Sequence, residues 1–540
     1  MSDLATTPGG TAQGGSLLDH KMKKSPAWLS GLIVLIALVG GLGYVGFHIA
    51  GDLGNITLGS TWPYILLGTA LFIALGFEFV NGFHDTANAV ATVIYTHSME
   101  PNIAVVWSGL FNLIGVLTSA GTVAFTIITL LPVELILKVS SGAGFAMVFA
   151  LLLAAILWNL GTWWLGLPAS STHTMTGSII GVGLANQLLS QGGGTSGVDW
   201  AQASKVGWTL LLSPLVGFVG AFLLFHLSKA TIKYPELYSA PKDNTPPPFP
   251  IRILLIITCT LVSFFHGSND GQKGMGLIML ILIGTVPTAY ALNHAVTGRD
   301  IQDFLAASER AVSIIDAHTD KNATVGDPAG ELTDYLRTKK LAPSTITALR
   351  MEIQNLEGDV TAYGDYKSVP ANKQTNVRNG MYLTSETLRI MAKKNEVHFS
   401  AEESAALNNY KGKLDKATKF IPTWVKVAVA LALGLGTMVG WKRIVVTVGE
   451  KIGKEHLTYG QGAVAELMAA STIALADFGG LPVSTTHVLS SGIAGTMAAN
   501  KSGLQFSTIR NIAAAWVFTL PAAALLSGLL YALFRTFTAN

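Results

Sequence analysis

Two sets of polar residues recur in the same order inside long apolar runs of this 540-residue chain. The first set pairs NGFHDTANAVAT (Asn81 to Thr92) with LPASSTHTMTGSIIG (Leu167 to Gly181). The second pairs FFHGSNDGQKGMG (Phe264 to Gly276) with LPVSTTHVLSSGIAG (Leu481 to Gly495). Carboxylates, amides, imidazoles and hydroxyls are costly in hydrocarbon unless they face a cavity or one another, so such groups in apolar runs mark functional sites. Two matching sites in two halves point to a carrier built from repeats, with its substrate site where the repeats meet.

Half of the residues are hydrophobic and only 12% are charged, which excludes a soluble protein and suits a polytopic membrane one. Stretches long enough to span ~30 Å of hydrocarbon fall near 27–50, 62–83, 102–131, 142–166, 205–229, 253–290, 420–441, 459–478 and 510–535. The expected fold is all-α, with about 10–12 membrane helices, inverted repeats, interrupted helices and two re-entrant hairpins. Residues 1–26 read as a disordered cytoplasmic N-terminus. The run 27–50, behind Lys21, Lys23 and Lys24, has 24 residues, against the ~7–15 of a signal-peptide core, and reads as an extra retained helix. The single Cys259 allows no intrachain disulfide or multi-cysteine metal site and reads as a packing residue. A net charge of +3 gives no reason to expect nucleic acid.

The segment 293–419 carries 17 Lys or Arg and 17 Asp or Glu, and its helical periodicity predicts a small soluble cytoplasmic insertion. The hydroxyl motifs lie 314 positions apart and the Asp motifs 185, a difference of 129 that this insertion nearly accounts for. Without it the halves fall into register. The expected layout is a first repeat at 62–229 with a hairpin at 167–187, a cytoplasmic linker at 230–252, and the start of a second repeat at 253–292. The insertion follows, then 420–535 with a hairpin at 481–500. Lys and Arg collect on the inner side, so Lys21 to Lys24 and the linker with Lys229, Lys233, Lys242 and Arg252 are read as inside. The loop Gly51 to Thr61 lacks basic residues and is read as outside, which makes the repeats inverted. Lys442, Arg443, Lys451 and Lys454 fall where this scheme puts an external loop, so the topology of 442–458 stays open.

Pro followed by Ser and Thr is the chemistry of a helix start, where hydroxyls cap free amides. Such an N-terminus binds an oxyanion readily, which makes Ser170, Ser171, Thr172, Ser484, Thr485 and Thr486 candidate ligands. Asp85 and Asn88 share one helical face; Asn269, Asp270 and Lys273 are their counterparts, and the surrounding glycines permit an interrupted helix. An oxyanion and Asp repel unless a proton or cation lies between them, so anion uptake is expected to be coupled through Asn81, His84, Asp85, Asp270 and Lys273. His84, His173, His266 and His487 carry the side-chain type used for proton exchange near neutral pH and are read first as structural hydrogen-bonding groups.

GFHDTANA, FHGSNDGQKG and the doubled LPxSxTH resemble the inorganic phosphate transporter family, most closely its bacterial low-affinity Pit branch, over roughly 62–535. The resemblance implies inverted repeats, two hairpins, and inorganic phosphate held by the Asp motifs and the hairpin hydroxyls. Sodium-coupled members carry an amide where this chain has Lys273, while Asn88 matches. An ammonium there supplies the charge of a bound sodium, which favours protons as the coupling ion. Phosphate entering alone and phosphate entering as a neutral complex with a divalent metal both stay open. The resemblance implies no cofactor, no enzymatic activity, a multi-pass protein of the bacterial inner membrane, and lipid as surroundings; a homodimer is one of the open oligomeric states.

Four rivals remain at this point. A sulfate carrier or sodium-coupled symporter of the same superfamily would differ in competition by sulfate and in ion dependence. An intramembrane hydrolase needs one nucleophile and one base, whereas this chain offers a doubled set, so separate replacement of Ser171 and Ser484 distinguishes them. A passive channel cannot accumulate anion against a gradient.

Overall fold

The computed structural model describes residues 27–53, 62–85, 87–139, 141–190, 197–242, 245–320 and 322–538. The N-terminal segment 1–26, expected to be disordered, lies outside the described residues, as do most of the loop 51–61, Thr86 and the side chain of Asn88. Apart from one isolated bridge, Gly453 to Leu504, the described residues form helices and their connections.

In the first half these are α1 (Ala27–Leu53), α2 (Trp62–Asp85), α3 (Ala87–Tyr95), α4 (Pro101–Thr118), α5 (Thr122–Ile128), α6 (Val133–Leu137), α7 (Gly142–Trp164), α8 (Ser171–Leu189) and α9 (Trp200–Thr231). Then come α10 (Phe249–Thr285), α11 (Pro287–Tyr290) and the insertion helices α12 (Arg299–Ala317), α13 (Pro328–Thr338), α14 (Pro343–Tyr363), α15 (Ala371–Lys394) and α16 (Ala401–Thr418). The chain closes with α17 (Thr423–Thr437), α18 (Lys442–Glu450), α19 (Tyr459–Phe478), α20 (Thr485–Asn500) and α21 (Phe506–Thr538). Local sequence places many starts: Asp199 accepts from the Ala201 and Gln202 amides at the head of α9, and Ser400 with Glu403 and Thr458 with Gln461 form capping boxes.

Seven helices among the described residues are long and apolar enough to cross a membrane, or eight if the bent pair α16 and α17 is one span. Taken singly, helices α8, α17, α19 and α20 fall below that test and pack against these spans. Each predicted hairpin range also differs from what is observed. The run from Leu167 is an extended tip ending at Ser170, and Ser171 onward is one helix; its antiparallel partner is α7, outside 167–187. In the same way α20 returns along α19 after the tip 479–484.

Packing is crossed between the halves. The inner hairpin helix α8 lies on α21, the last helix of the second half, and α20 lies on α9, the last of the first. Likewise α2 packs on α17 and α10 on α4. Small residues allow this closeness: a Cβ on Gly181 would run into the Ala524 carbonyl, and one on Gly495 into that of Phe218.

The two ends of the bundle are identified by their contacts. At one end, Ser98 O accepts from Arg252 Nε at 2.9 Å, Asn500 accepts from Lys229 at 2.6 Å, and Ser239 O accepts from the Tyr459 amide at 3.4 Å. Residues 451–454 lie there too, since Lys454 N donates to Gly503 O at 3.1 Å and Gln505 to Gly453 O at 2.8 Å. The basic residues Lys451 and Lys454, whose side was open, thus share an end with the basic linker. At the other end the insertion docks. Tyr290 donates to Asp52 at 2.5 Å, Lys339 pairs with Asp199 at 3.3 Å, and Arg378 and Asn379 reach the carbonyls of Ile136 and Leu137 at 3.4 and 3.2 Å.

Linker and insertion, both expected to be cytoplasmic, occupy opposite ends of the bundle. The cause is α10, one continuous helix of 37 residues, ~55 Å at 1.5 Å per residue, against ~30 Å of hydrocarbon. It crosses once, uninterrupted through Gly267, Gly271 and Gly274, where an interruption was expected. Those glycines instead admit the Asn112 carbonyl, Val116 and Glu78 respectively.

Candidate functional site

The hairpin tips meet in the centre of the bundle. Ser170 caps α8 by accepting from the His173 amide, and Ser484 caps α20 by accepting from the His487 amide, each at 3.2 Å. Their hydroxyl protons stay available to donate. The Trp516 indole donates to Pro168 O at 3.2 Å, and Asn269 holds the other tip from both ends of its amide, donating to Leu481 O at 3.1 Å and accepting from Val483 N at 3.4 Å. The Thr172 hydroxyl donates to Val483 O at 2.9 Å, tying tip to tip. The His173 and His487 rings lie 4.4 Å apart, with His487 stacked on Trp516 at 4.2 Å.

Asp85, at the C-terminus of α2, lies between these tips. Its Oδ1 accepts from Thr486 at 2.9 Å and its Oδ2 lies against the Ser171 hydroxyl. Ser171 is also 2.7 Å from Asn81 Oδ1. His84 bridges Asp85 and Thr162, with Nδ1 2.9 Å from the carboxylate and Nε2 3.0 Å from the hydroxyl. In the second half, Lys273 Nζ stands 2.7 Å from Asp270 Oδ2 and also hydrogen-bonds Thr172. His266 lies 3.6 Å from the same carboxylate oxygen and 2.6 Å from Asn112 Oδ1.

All of these side chains except the partly buried Trp516 are buried, so the arrangement is closed to both ends. Buried polar atoms are nearly always partnered, yet Thr485 Oγ1, His266 Nε2, His173 Nδ1, His487 Nε2 and Glu78 Oε1 have no hydrogen bond. Two helix N-termini with donor hydroxyls, one ammonium and several imidazoles form a set that suits a small oxyanion. Asp85, His266 and Asp270 offer donor atoms within 4.8 Å of one another. The Lys273 ammonium, already bonded to Asp270, supplies the positive charge there, so that set reads as a carboxylate–ammonium cluster rather than a resident metal centre.

A model of the phosphate transporter family matches residues 81–527, most of the chain. The chain belongs to this family. Its relatives include the low-affinity inorganic phosphate transporter PitA of Escherichia coli K12, 44% identical over 86% of this chain and 96% of that protein. PitB of the same strain is 42% identical over 86% and 96%. A probable low-affinity inorganic phosphate transporter of Bacillus subtilis is 29% identical over 86% and 97%. A solved structure titled "The sodium-dependent phosphate transporter" matches with a TM-score of 0.48 at 19% identity, covering 87% of this chain and 99% of that one. Membership makes this a transporter and not an enzyme.

In this phosphate transporter family member, Asn81, His84, Asp85, Ser170, Ser171, Thr172, Asn269, Asp270, Lys273, Ser484, Thr485 and Thr486 converge on the two tips or the residues bonded to them. Asn88 lies in the first turn of α3, with its side chain outside the described residues. Sequence reasoning passed over Glu78, Asn112, Thr162 and Glu466. Glu466 is fully buried and bonded to Thr92 and to Thr258, the latter at 2.5 Å. The available signal was the bare presence of Glu78 and Glu466 within apolar helices; neither belongs to a doubled motif.

Proposed function

We propose that this protein is a secondary active symporter that imports inorganic phosphate together with protons. The phosphate sits between the hairpin tips, taking hydrogen bonds from the Ser170, Ser171, Thr172, Ser484, Thr485 and Thr486 hydroxyls and from the helix N-termini behind them. Asp85, Asn88, Asn269 and Asp270 complete its shell, with Asp85 and Asp270 as acceptors for phosphate protons.

The observation that carries the coupling is the placement of Lys273, 2.7 Å from Asp270 and hydrogen-bonded to Thr172 at the first tip. An ammonium held there occupies the position in which a bound sodium would otherwise balance the carboxylate. The crossed packing of the halves, with one hairpin entering from each end, supports inverted repeats and alternating access about a central site. Lys and Arg of the short loops gather at the linker end, which supports a cytoplasmic linker. The insertion, at the opposite end, then faces the outside; long domains translocate regardless of charge.

The test is labelled phosphate uptake by purified protein in proteoliposomes with pH, sodium and magnesium gradients imposed one at a time. Uptake should follow an inward proton gradient and ignore exchange of sodium for potassium; strict sodium dependence would refute proton coupling while leaving the phosphate assignment. The magnesium arm separates free phosphate from a metal-phosphate complex. Competition by sulfate checks the anion.

A further inference from the structure

Glu78 lies two turns before Asp85 in α2 and is fully buried. Its Oε2 accepts only a long hydrogen bond from Asn81, at 3.4 Å. Its Oε1 has none of ordinary geometry and is pressed against Gly274, where any Cβ would overlap the carboxylate. The charges that act on it come from α10, namely Lys273 and Asp270. Of the other helices packed on α2, α7 carries no titratable residue and α8 presents His173, which also feels the charge of Lys273. Lys426 of α17 is bonded to Ser119 O at 2.7 Å, and Tyr95 of α3 to Glu450 at 2.5 Å, so both are engaged elsewhere.

One ammonium therefore lies near two buried carboxylates: it is paired with Asp270, while Glu78, in no ion pair with it, is packed against the adjacent Gly274. A buried carboxylate without a compensating cation is strongly disfavoured, and Lys273 already stands 2.7 Å from Asp270. We propose that Glu78 carries the coupled proton, and that its protonation releases Lys273 to serve the incoming phosphate. With Glu78 ionised, the ammonium is shared between Glu78 and Asp270 and is held away from the anion. With a proton on Glu78, Lys273 balances Asp270 alone and keeps its bond to Thr172, at the tip where the anion is held. Proton and phosphate then favour each other's binding reciprocally. The proton enters Oε1 from the outer solution and leaves the same atom to the inner one, so the cycle is balanced without a covalent step.

This rests on the proton-symport reading. Full-length wild type, Glu78→Gln and Glu78→Asp are compared in phosphate-loaded and empty proteoliposomes. The Gln side chain keeps the shape and cannot ionise. It should still exchange labelled for internal phosphate at close to the wild-type rate. It should lose accumulation driven by an inward pH gradient, and its half-saturating phosphate concentration should become independent of pH. The Asp variant should restore a pH-dependent response with a shifted profile. Gradient-driven accumulation by the Gln variant would overturn the proposal, and so would loss of exchange in a variant that elutes as folded protein. If the Gln variant does not fold, an Asp variant with an unshifted pH profile overturns it instead. A wild type that ignores the pH gradient would fail the symport reading itself, which is a separate and recognisable result.

Discussion

The hydroxyl of Thr486 donates to Asp85 Oδ1 at 2.9 Å across 401 positions of sequence, so a carboxylate of the first half is held by the hairpin of the second. The reverse link runs from Lys273 of the second half to Thr172 of the first. Neither half holds a complete site. Motion of one half against the other must break or remake these bonds, which gives a physical basis for linking access to occupancy.

Asp85 and Asp270 are each expected to be required for transport. Replacement by Asn keeps the shape and removes the charge that pairs with His84 or Lys273. Uptake normalised to membrane expression should fall to background in Asp85→Asn and in Asp270→Asn. Wild-type uptake in both would reject the site.

The tip hydroxyls should govern affinity before rate. A hydrogen bond to a charged partner contributes about 1.5 kcal/mol or more, so Ser171→Ala and Thr486→Ala should each raise the half-saturating phosphate concentration roughly tenfold. Initial-rate measurements over a range of phosphate concentrations separate this from a fall in maximal rate.

Orientation can be read by labelling. Glu309 in the insertion and Lys233 in the linker are both exposed, and the native Cys259 is buried. A membrane-impermeant maleimide applied to intact cells should modify Glu309→Cys and leave Lys233→Cys unmodified until the membrane is opened. The opposite pattern would invert the assignment of both faces.

The insertion should lose stability in acid. Burial tends to raise the Glu386 carboxyl, but Lys419 and Arg389, at 3.2 and 2.6 Å, outweigh it and hold the group below its ordinary range. Burial likewise opposes Lys419 and Lys411 at Asp415, and again the ammonium groups prevail. A lowered carboxyl stabilises the fold above its unfolded pKa, ~4, and that contribution is lost as pH falls through the folded value. Thermal unfolding of the detergent-solubilised protein should therefore shift to lower temperature below about pH 4, and Glu386→Gln should flatten that dependence.

The sequence by itself determined the membrane class, the doubled motifs and the identity of nearly every polar group at the tips. It could do so because each of those properties is local: hydropathy over a span, hydroxyls after a proline, an Asp beside glycines. The helix starts capped by Ser170 and Ser484 were legible for the same reason, since a cap acts within three residues. What only the tertiary structure decided involves residues distant in sequence. The hairpins pair α7 with α8 and α19 with α20 because helices outside the motifs supply the second arm. Helix α10 runs unbroken through its glycines because neighbouring backbone fills the space they leave. The insertion stands opposite the linker because that one helix carries the chain from end to end. Glu78 gains its meaning only from Lys273 and Gly274, nearly 200 positions away, and a single carboxylate in an apolar helix reveals nothing of the charge it faces until the halves have packed.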